Sequence, residues 1–328
     1  VIRPWPAGAV TGVGSLPGTD PVDAAALVFG ELPDLPHLPE LPDRGPGADM
    51  IGRGAALLVD LPVELVPSGW RIAAHPGRDL RRAQDFLARD LDAVEAQAAG
   101  FTGALKLQAV GQWTLAAHVE LANGHKIVTD RGAVRDLAAS LAEGLRLHLA
   151  DVSGRVPGAR LVAQLDEPSL PAVLGGRVPT PSGYGTVRAV DASVVEQSLG
   201  DVLSVAPEGG RVVHCCADDV PIGLLRSAGA DALSLDASRL HRGQYDALGE
   251  AVDAGVSLWL GIAGPDGTLG AARQAIRRLW SDLGFAPGEL AAGVVPTPAC
   301  GLAGATPDEV RRVLALLRDV GKSLLDEG

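Results

Sequence analysis

Aromatic side chains are scarce. Trp, Tyr and Phe number five, two and four in 328 residues, which leaves little to stack nucleic-acid bases. Basic charge is also short, with 28 Lys plus Arg against 40 Asp plus Glu and a formal charge of −12. Such a chain repels phosphate backbones, so nucleic acid is not an expected partner. No uninterrupted apolar run reaches the roughly 18 residues of a membrane span. The opening stretch Val1–Val10 lacks a basic region followed by an apolar core, so it does not read as a secretory leader. Cysteine is rarer still. There are three, two of them adjacent at Cys215 and Cys216. An odd number with that spacing is no disulfide framework, and a reducing cytoplasm is the expected setting.

What is abundant is aliphatic. Apolar residues make up 47% of the chain, enough for a sizeable core. No repeat of fixed period is present. Instead, apolar runs alternate with stretches of helical periodicity. The runs are Ala9–Gly14, Gly69–Ala74, Leu105–Val110, Arg160–Leu165, Arg211–Cys216, Ala232–Asp236, Val256–Gly261 and Gly293–Pro296, and Gly69–Ala74 is the least strand-like of them. Several are apolar almost throughout, as strands buried on both faces are. Between them, Leu80–Ala99 predicts one long helix. Val134, Leu137, Leu141, Leu145 and Leu149 share one helical face, and so do Val310, Val313, Leu314 and Leu317. The last of these helices has a clear start, with Thr306 as cap, Pro307 in the first turn and Glu309 closing a capping box.

Eight such units predict a single (β/α)8 TIM barrel over residues 1–328, with a doubly wound sheet as the alternative. The length requires insertions at the C-terminal face. One is Glu31–Gly47, ELPDLPHLPELPDRGPG, whose closely spaced prolines favour an extended, solvated segment. It is expected to be a surface loop, or else a lid or partner-binding loop. The Gly/Pro-rich stretch Leu174–Thr186 is the second.

Possible metal ligands fall at the C-terminal ends of these runs. His214 and Cys216 are two apart, so in a strand they face one side. Asp236 ends the next run, Cys300 follows the last, and Asp166 and Glu167 end the fourth. A closed barrel gathers all of them over one mouth. His214, Cys216, Cys300 and Asp236 form a donor set suited to tetrahedral zinc, with Asp236 the weak member. Taken singly, each has a plainer reading: a cysteine as a small hydrophobe, a histidine as a satisfied polar group, Asp236 as a cap on the helix that follows. Cys215 should point the other way, into packing.

Five motifs in order resemble the C-terminal catalytic barrel of cobalamin-independent methionine synthase. Gly14-Ser15-Leu16-Pro17 is similar to that family's Gly-Ser-Phe-Pro, and Gln164-Leu165-Asp166-Glu167-Pro168 to its Gln-x-Asp-Glu-Pro. His214-Cys215-Cys216 matches its His-x-Cys, and Asp236-Ala237-Ser238-Arg239 stands where the family has Glu-x-Ser-Arg. Thr297-Pro298-Ala299-Cys300-Gly301-Leu302 resembles its Asn-Pro-x-Cys-Gly-Leu. The resemblance implies methyl transfer to the thiol of homocysteine, giving methionine, with zinc on His214, Cys216, Cys300 and Asp236. It also implies that Asp166 grips the substrate's amino group and Ser15 its amino-acid backbone, while Glu167 reads as structural or as a neighbour of the ligands.

Departures from the family bear on the donor. The usual enzyme has two barrels, and this chain corresponds to the catalytic one. The family's zinc-ligand glutamate is the shorter Asp236 here. Its Asp-Met-x-Glu reads Asp49-Met50-Ile51-Gly52, without the last carboxylate. Ala263 stands where the family carries a histidine thought to protonate a folate leaving group, and Gly111-Gln112-Trp113-Thr114 stands where a Gly-Pro-Val-Thr run lies near the folate. Methyl on a folate nitrogen needs that nitrogen protonated to leave. A methylated corrinoid protein is therefore the expected donor ahead of methyltetrahydrofolate, arriving on a partner because no Asp-x-His-x-x-Gly motif is present. Two alternatives stand beside this reading: a methyltransferase for another small thiol such as coenzyme M, and a non-catalytic zinc-binding barrel.

Overall fold

The computed structural model describes residues 3–326, so Val1 and Ile2 of the opening stretch lie outside the described residues. Its centre is a curled sheet of six parallel strands in sequential order: β3 (Ala104–Val110), β4 (Arg160–Asp166), β5 (Arg211–Cys215), β6 (Ala232–Asp236), β7 (Ser257–Ala263) and β8 (Val294–Pro298). Each matches an expected run to within two residues. Helices cover the outside, among them α3 (Arg78–Gln97), α5 (Arg131–Arg155) and α12 (Pro307–Leu325). In α12, Thr306 and Glu309 form the expected capping box. No helix among the described residues is long and apolar enough to cross a membrane.

Three strand or loop expectations fail: Ala9–Gly14 forms no regular strand, and two other segments also depart. Gly69–Ala74 is not a strand of the central sheet. Gly69–Ile72 forms β2, antiparallel to β1 (Val63–Val66), in a separate hairpin. Glu31–Gly47 is neither a solvated insertion nor a lid. Glu31 ends α1 (Pro21–Glu31), and Leu32, Leu35, Leu38 and Leu41 behind it are fully buried. The repeat of Leu and Pro at every third residue puts the leucines inside, a pattern that an unspecific reading of proline as a loop former overlooks.

That segment occupies the gap beside β3. Leu38 N donates to Lys106 O (2.9 Å), and Lys106 N to Pro36 O (2.9 Å). On the other side Glu40 N donates to Gly14 O (3.2 Å), and Leu16 N to Glu40 O (2.9 Å). Residues 9–16 in turn meet β8, where Thr11 N donates to Pro296 O (3.3 Å). Neither segment is a regular strand. Prolines 33, 36, 39 and 42 lack the N–H a ladder needs, so pairing is confined to isolated bridges, Ser15 with Glu40 and His37 with Lys106. Six regular strands and two extended segments therefore stand where eight strands were expected.

The interior is layered. One apolar cluster takes a single residue from each segment (Ala9, Leu35, Ala104, Val162, Val212, Ala232, Trp259 and Val295), with Trp5 packed edge-on against Trp259 at 5.1 Å. Two residues further along several strands, the same side is polar: His37, Lys106, Gln164, His214, Ser234 and Thr297, all buried. If the Leu–Pro segment is core, Leu38→Ala should lower unfolding free energy by about 2–5 kcal/mol in denaturant titration. A residue on a solvated lid would change it by under about 0.5 kcal/mol.

Candidate metal and thiol site

His214, Cys216 and Cys300 meet at the C-terminal ends of β5 and β8, with their ligand atoms within 4.8 Å of one another. Strand parity places the first two on one side, and the turn after β8 brings the third across. The Sγ atoms of Cys216 and Cys300 are 3.6 Å apart. Two thiolates on one tetrahedral zinc, at about 2.3 Å each, would stand about 3.8 Å apart, so the pair fits that ion. His214 Nδ1 is 2.9 Å from Ser234 Oγ on β6. This fixes the ring and leaves Nε2 for a ligand, the kind of outer contact that metal-binding histidines usually have. The Cys300 thiol is drawn down, first by its contact with the Cys216 thiol and then by His214, while that same contact pushes the Cys216 thiol up. Cys215 is fully buried in the core on the opposite side, and burial raises its thiol to about 12, as expected of a packing residue.

Asp236 is not brought into this cluster. Its Oδ1 accepts from Ser238 N (2.9 Å) and Ser238 Oγ (2.7 Å), and its Oδ2 lies 3.3 Å from Arg239 Nε. It caps the turn that follows β6, the plainer of the two sequence readings. The shorter side chain is engaged by its own turn, and the cluster of ligand atoms within 4.8 Å of one another does not include it.

Beside the cluster opens a cavity of about 300 Å³, lined by Ser15, Glu40, Asp166, His214, Cys216 and Cys300 among others. Ser15 is held by its bridge to Glu40 and by Leu302 N donating to its carbonyl (2.8 Å). Gly301 packs closely on it, since a Cβ there would meet Ser15 Oγ. Asp166 is buried, and Gln164 Nε2 donates to its Oδ1 (2.7 Å). Burial raises its carboxyl to about 7, with Glu40 adding to the rise, while His214, Gln164 and Lys106 oppose it. Two members of this neighbourhood went unnoticed in the sequence. Glu40 was hidden in the Leu–Pro repeat. Lys106 was hidden in an apolar strand, although a lysine flanked by leucines inside a doubly buried run is itself a signal. Its Nζ donates to Val13 O and Gln164 Oε1, both at 2.7 Å, and burial brings it down to about 7 against the pull of Asp166 and Glu40.

Glu167 has a structural role. It is fully buried and accepts from Trp113 N (2.9 Å), Thr114 N (2.7 Å) and Thr114 Oγ1 (2.7 Å) at the start of α4 (Gln112–His118). Gly111 permits the approach, since a Cβ there would overlap the carboxylate. Burial still dominates and lifts the carboxyl from 4.5 to about 7, the three hydrogen bonds opposing it. A folded value above the unfolded one means that stability from this group falls as pH rises through that window. Glu167→Gln should flatten the decline in denaturant midpoint between about pH 4.5 and 7 relative to wild type. Parallel pH profiles would contradict it.

Comparison with solved structures supports the architecture. A B12-independent methionine synthase from Shewanella sp. W3-18-1, in complex with selenomethionine, aligns over 98% of both chains with a TM-score of 0.64 and 12% identity. A methyltransferase from Methanosarcina mazei aligns over 100% of this chain and 95% of its own, with a TM-score of 0.57 and 15% identity. Identities this low speak for a shared fold. No curated protein sequence matches. The family model described as "Cobalamin-independent synthase, Catalytic domain" matches residues 9–323, nearly the whole chain, and the protein belongs to that methyltransferase family.

Proposed function

We propose that the chain is a zinc-dependent methyltransferase that places a methyl group on the thiol of homocysteine, giving methionine. The carrying observation is the joining of His214, Cys216 and Cys300 to a cavity that contains two carboxylates. The three side chains would hold the ion and leave a fourth position facing the substrate. Bound there, zinc would supply the positive charge that keeps a thiol, mostly protonated near neutral pH, as the nucleophilic thiolate. Ser234 orients His214 through Nδ1. Asp166 would accept from the substrate ammonium, and Gln164 holds it in place for that. Ser15, at the rim, would meet the amino-acid backbone. The interior layer that takes one residue from each of eight segments favours reading the ring as a (β/α)8 barrel with two irregular strands.

The cavity also discriminates between acceptors. No lysine or arginine is among its described lining residues, so a thiol carrying only an anionic tail, such as coenzyme M, would meet carboxylates and no cation. An amino-acid thiol brings its own cation. For the donor, the end of β7 carries Gly261, Ile262 and Ala263, none of which can protonate a leaving nitrogen. A methylated corrinoid, delivered by a partner protein, suits that side better than methyltetrahydrofolate.

Metal analysis tests the centre. One zinc per chain is expected in the wild type, lost in Cys216→Ser and Cys300→Ser and retained in Asp236→Asn. Zinc unaffected by both cysteine changes would remove the proposal. Turnover tests the donor: with homocysteine, the zinc protein should form methionine faster from methylcobalamin than from methyltetrahydrofolate. Equal or faster use of the folate would overturn that part.

A further inference from the structure

We infer that the cleft between the first turns of α5 and α7 (Ala192–Leu203) is a second binding site, for a small amphipathic monoanion that carries a carboxylate on an apolar body. The cleft shares no lining residue with the cavity beside His214, Cys216 and Cys300, and the inference does not depend on the methyltransferase reading.

The volume of the cleft is about 460 Å³, within the range of small-molecule sites. The start of α5 supplies one wall and the start of α7 another, and residues 187–191 close it. Those residues directly follow the Gly/Pro-rich stretch Leu174–Thr186, whose Thr180 also reaches the cleft. The walls are largely aliphatic. Val128, Val134, Val187, Val190 and Val194 line them, and Trp113 lies at the buried floor. Val194 remains 42% exposed, so a ligand with an apolar body would take apolar surface out of water here.

The polar groups of the cleft ask for one negative charge. Arg131 and Arg188 stand against a single lining carboxylate, Asp191, which gives two positive charges less one negative, a net charge of +1, in a chain of formal charge −12. Neither arginine has an ion-pair or hydrogen-bond partner among the described residues. Asp191 precedes α7, but its side chain makes no capping hydrogen bond, so the positive end of that helix is left without a side-chain acceptor. Trp113 is fully buried, and its Nε1–H has no partner either, which is uncommon for a buried donor. Guanidinium forks match a carboxylate well. A phosphate monoester would bring up to two charges and a strong hydration shell against the valines. A carboxylate on an apolar body meets both parts of the wall. The metal-site cavity has no lysine or arginine among its lining residues, so the two sites select ligands of different charge.

The experiment is calorimetric titration of the full chain with three probes: 1-naphthaleneacetate, its neutral amide and acetate. The wild type should bind naphthaleneacetate at one site per chain, the amide about tenfold more weakly, and acetate not measurably. Arg131→Gln and Arg188→Gln should each weaken naphthaleneacetate by about tenfold and leave the amide unchanged. Val194→Asp should weaken both. All three changes lie at exposed positions, and an unchanged melting temperature verifies that the fold is kept. No saturable binding, an amide or acetate that binds as tightly as naphthaleneacetate, or arginine variants that bind like the wild type would each overturn the inference. Binding lost in Cys216→Ser but kept in both arginine variants would place the ligand at the metal site. That result overturns the inference too, and leaves the proposed function standing.

Discussion

The side chain of Lys106 lies fully buried inside the ring of strands. Lys106 Nζ donates to the carbonyl of Val13 and to Gln164, so one buried charge ties the first extended segment to β3 and β4. Gln164 passes the constraint on, donating from Nε2 both to Val13 O (3.0 Å) and to Asp166. Ser15 lies two residues beyond Val13, and Asp166 two beyond Gln164, so both proposed substrate contacts stand on this linkage. Burying a lysine is costly unless its donors are satisfied and counter-charges are near. Here two acceptors satisfy it, and Asp166 and Glu40 supply the charge. The apolar layer below excludes water, and the polar layer above it becomes a rigid floor for the cavity.

The two halves of the site depend on different physics. The metal half is built by strand parity and one turn: His214 near the end of β5 and Cys216 just beyond it are two apart and project together, and Cys300 arrives from the loop after β8. The acceptor half is built by long-range contact between segments that make few backbone bonds of their own. Both open on one cavity, which puts a sulfur at the cluster and an ammonium at the carboxylates within the length of one small molecule.

Much of this was legible from residue types and spacing. Runs of aliphatic residues gave six of the strands, since a strand covered on both faces leaves a continuous apolar record. Parity gave the His214–Cys216 pair, and Cys215 fell into the core as parity requires. The failures have a common source: residues whose role depends on partners far away in sequence. The leucines at 32, 35, 38 and 41 are interior because of what they face, yet the prolines between them carry the local signature of a loop. Gly69–Ala74 has strand-forming residues, but its partner is the neighbouring hairpin arm. Asp236 is a different case: the residues of its own turn, Ser238 and Arg239, engage its carboxylate, a local contact that residue spacing does not reveal. Glu40 was missed for the same reason as the leucines around it.

The Leu–Pro repeat has a further consequence for the edges of the sheet. Parallel strands have unpaired polar edges, and a sheet of six strands has two of them, on β3 and β8. An ordinary strand laid into that gap could be swapped for the same strand of another molecule. A segment with proline at every third position cannot serve as a general template, because much of its donor row is missing. It fits its own gap through four buried leucines and a few specific bonds, and offers an intruding strand little to pair with. The segment that interrupts the row of regular strands also leaves that edge a poor template for a strand from another chain.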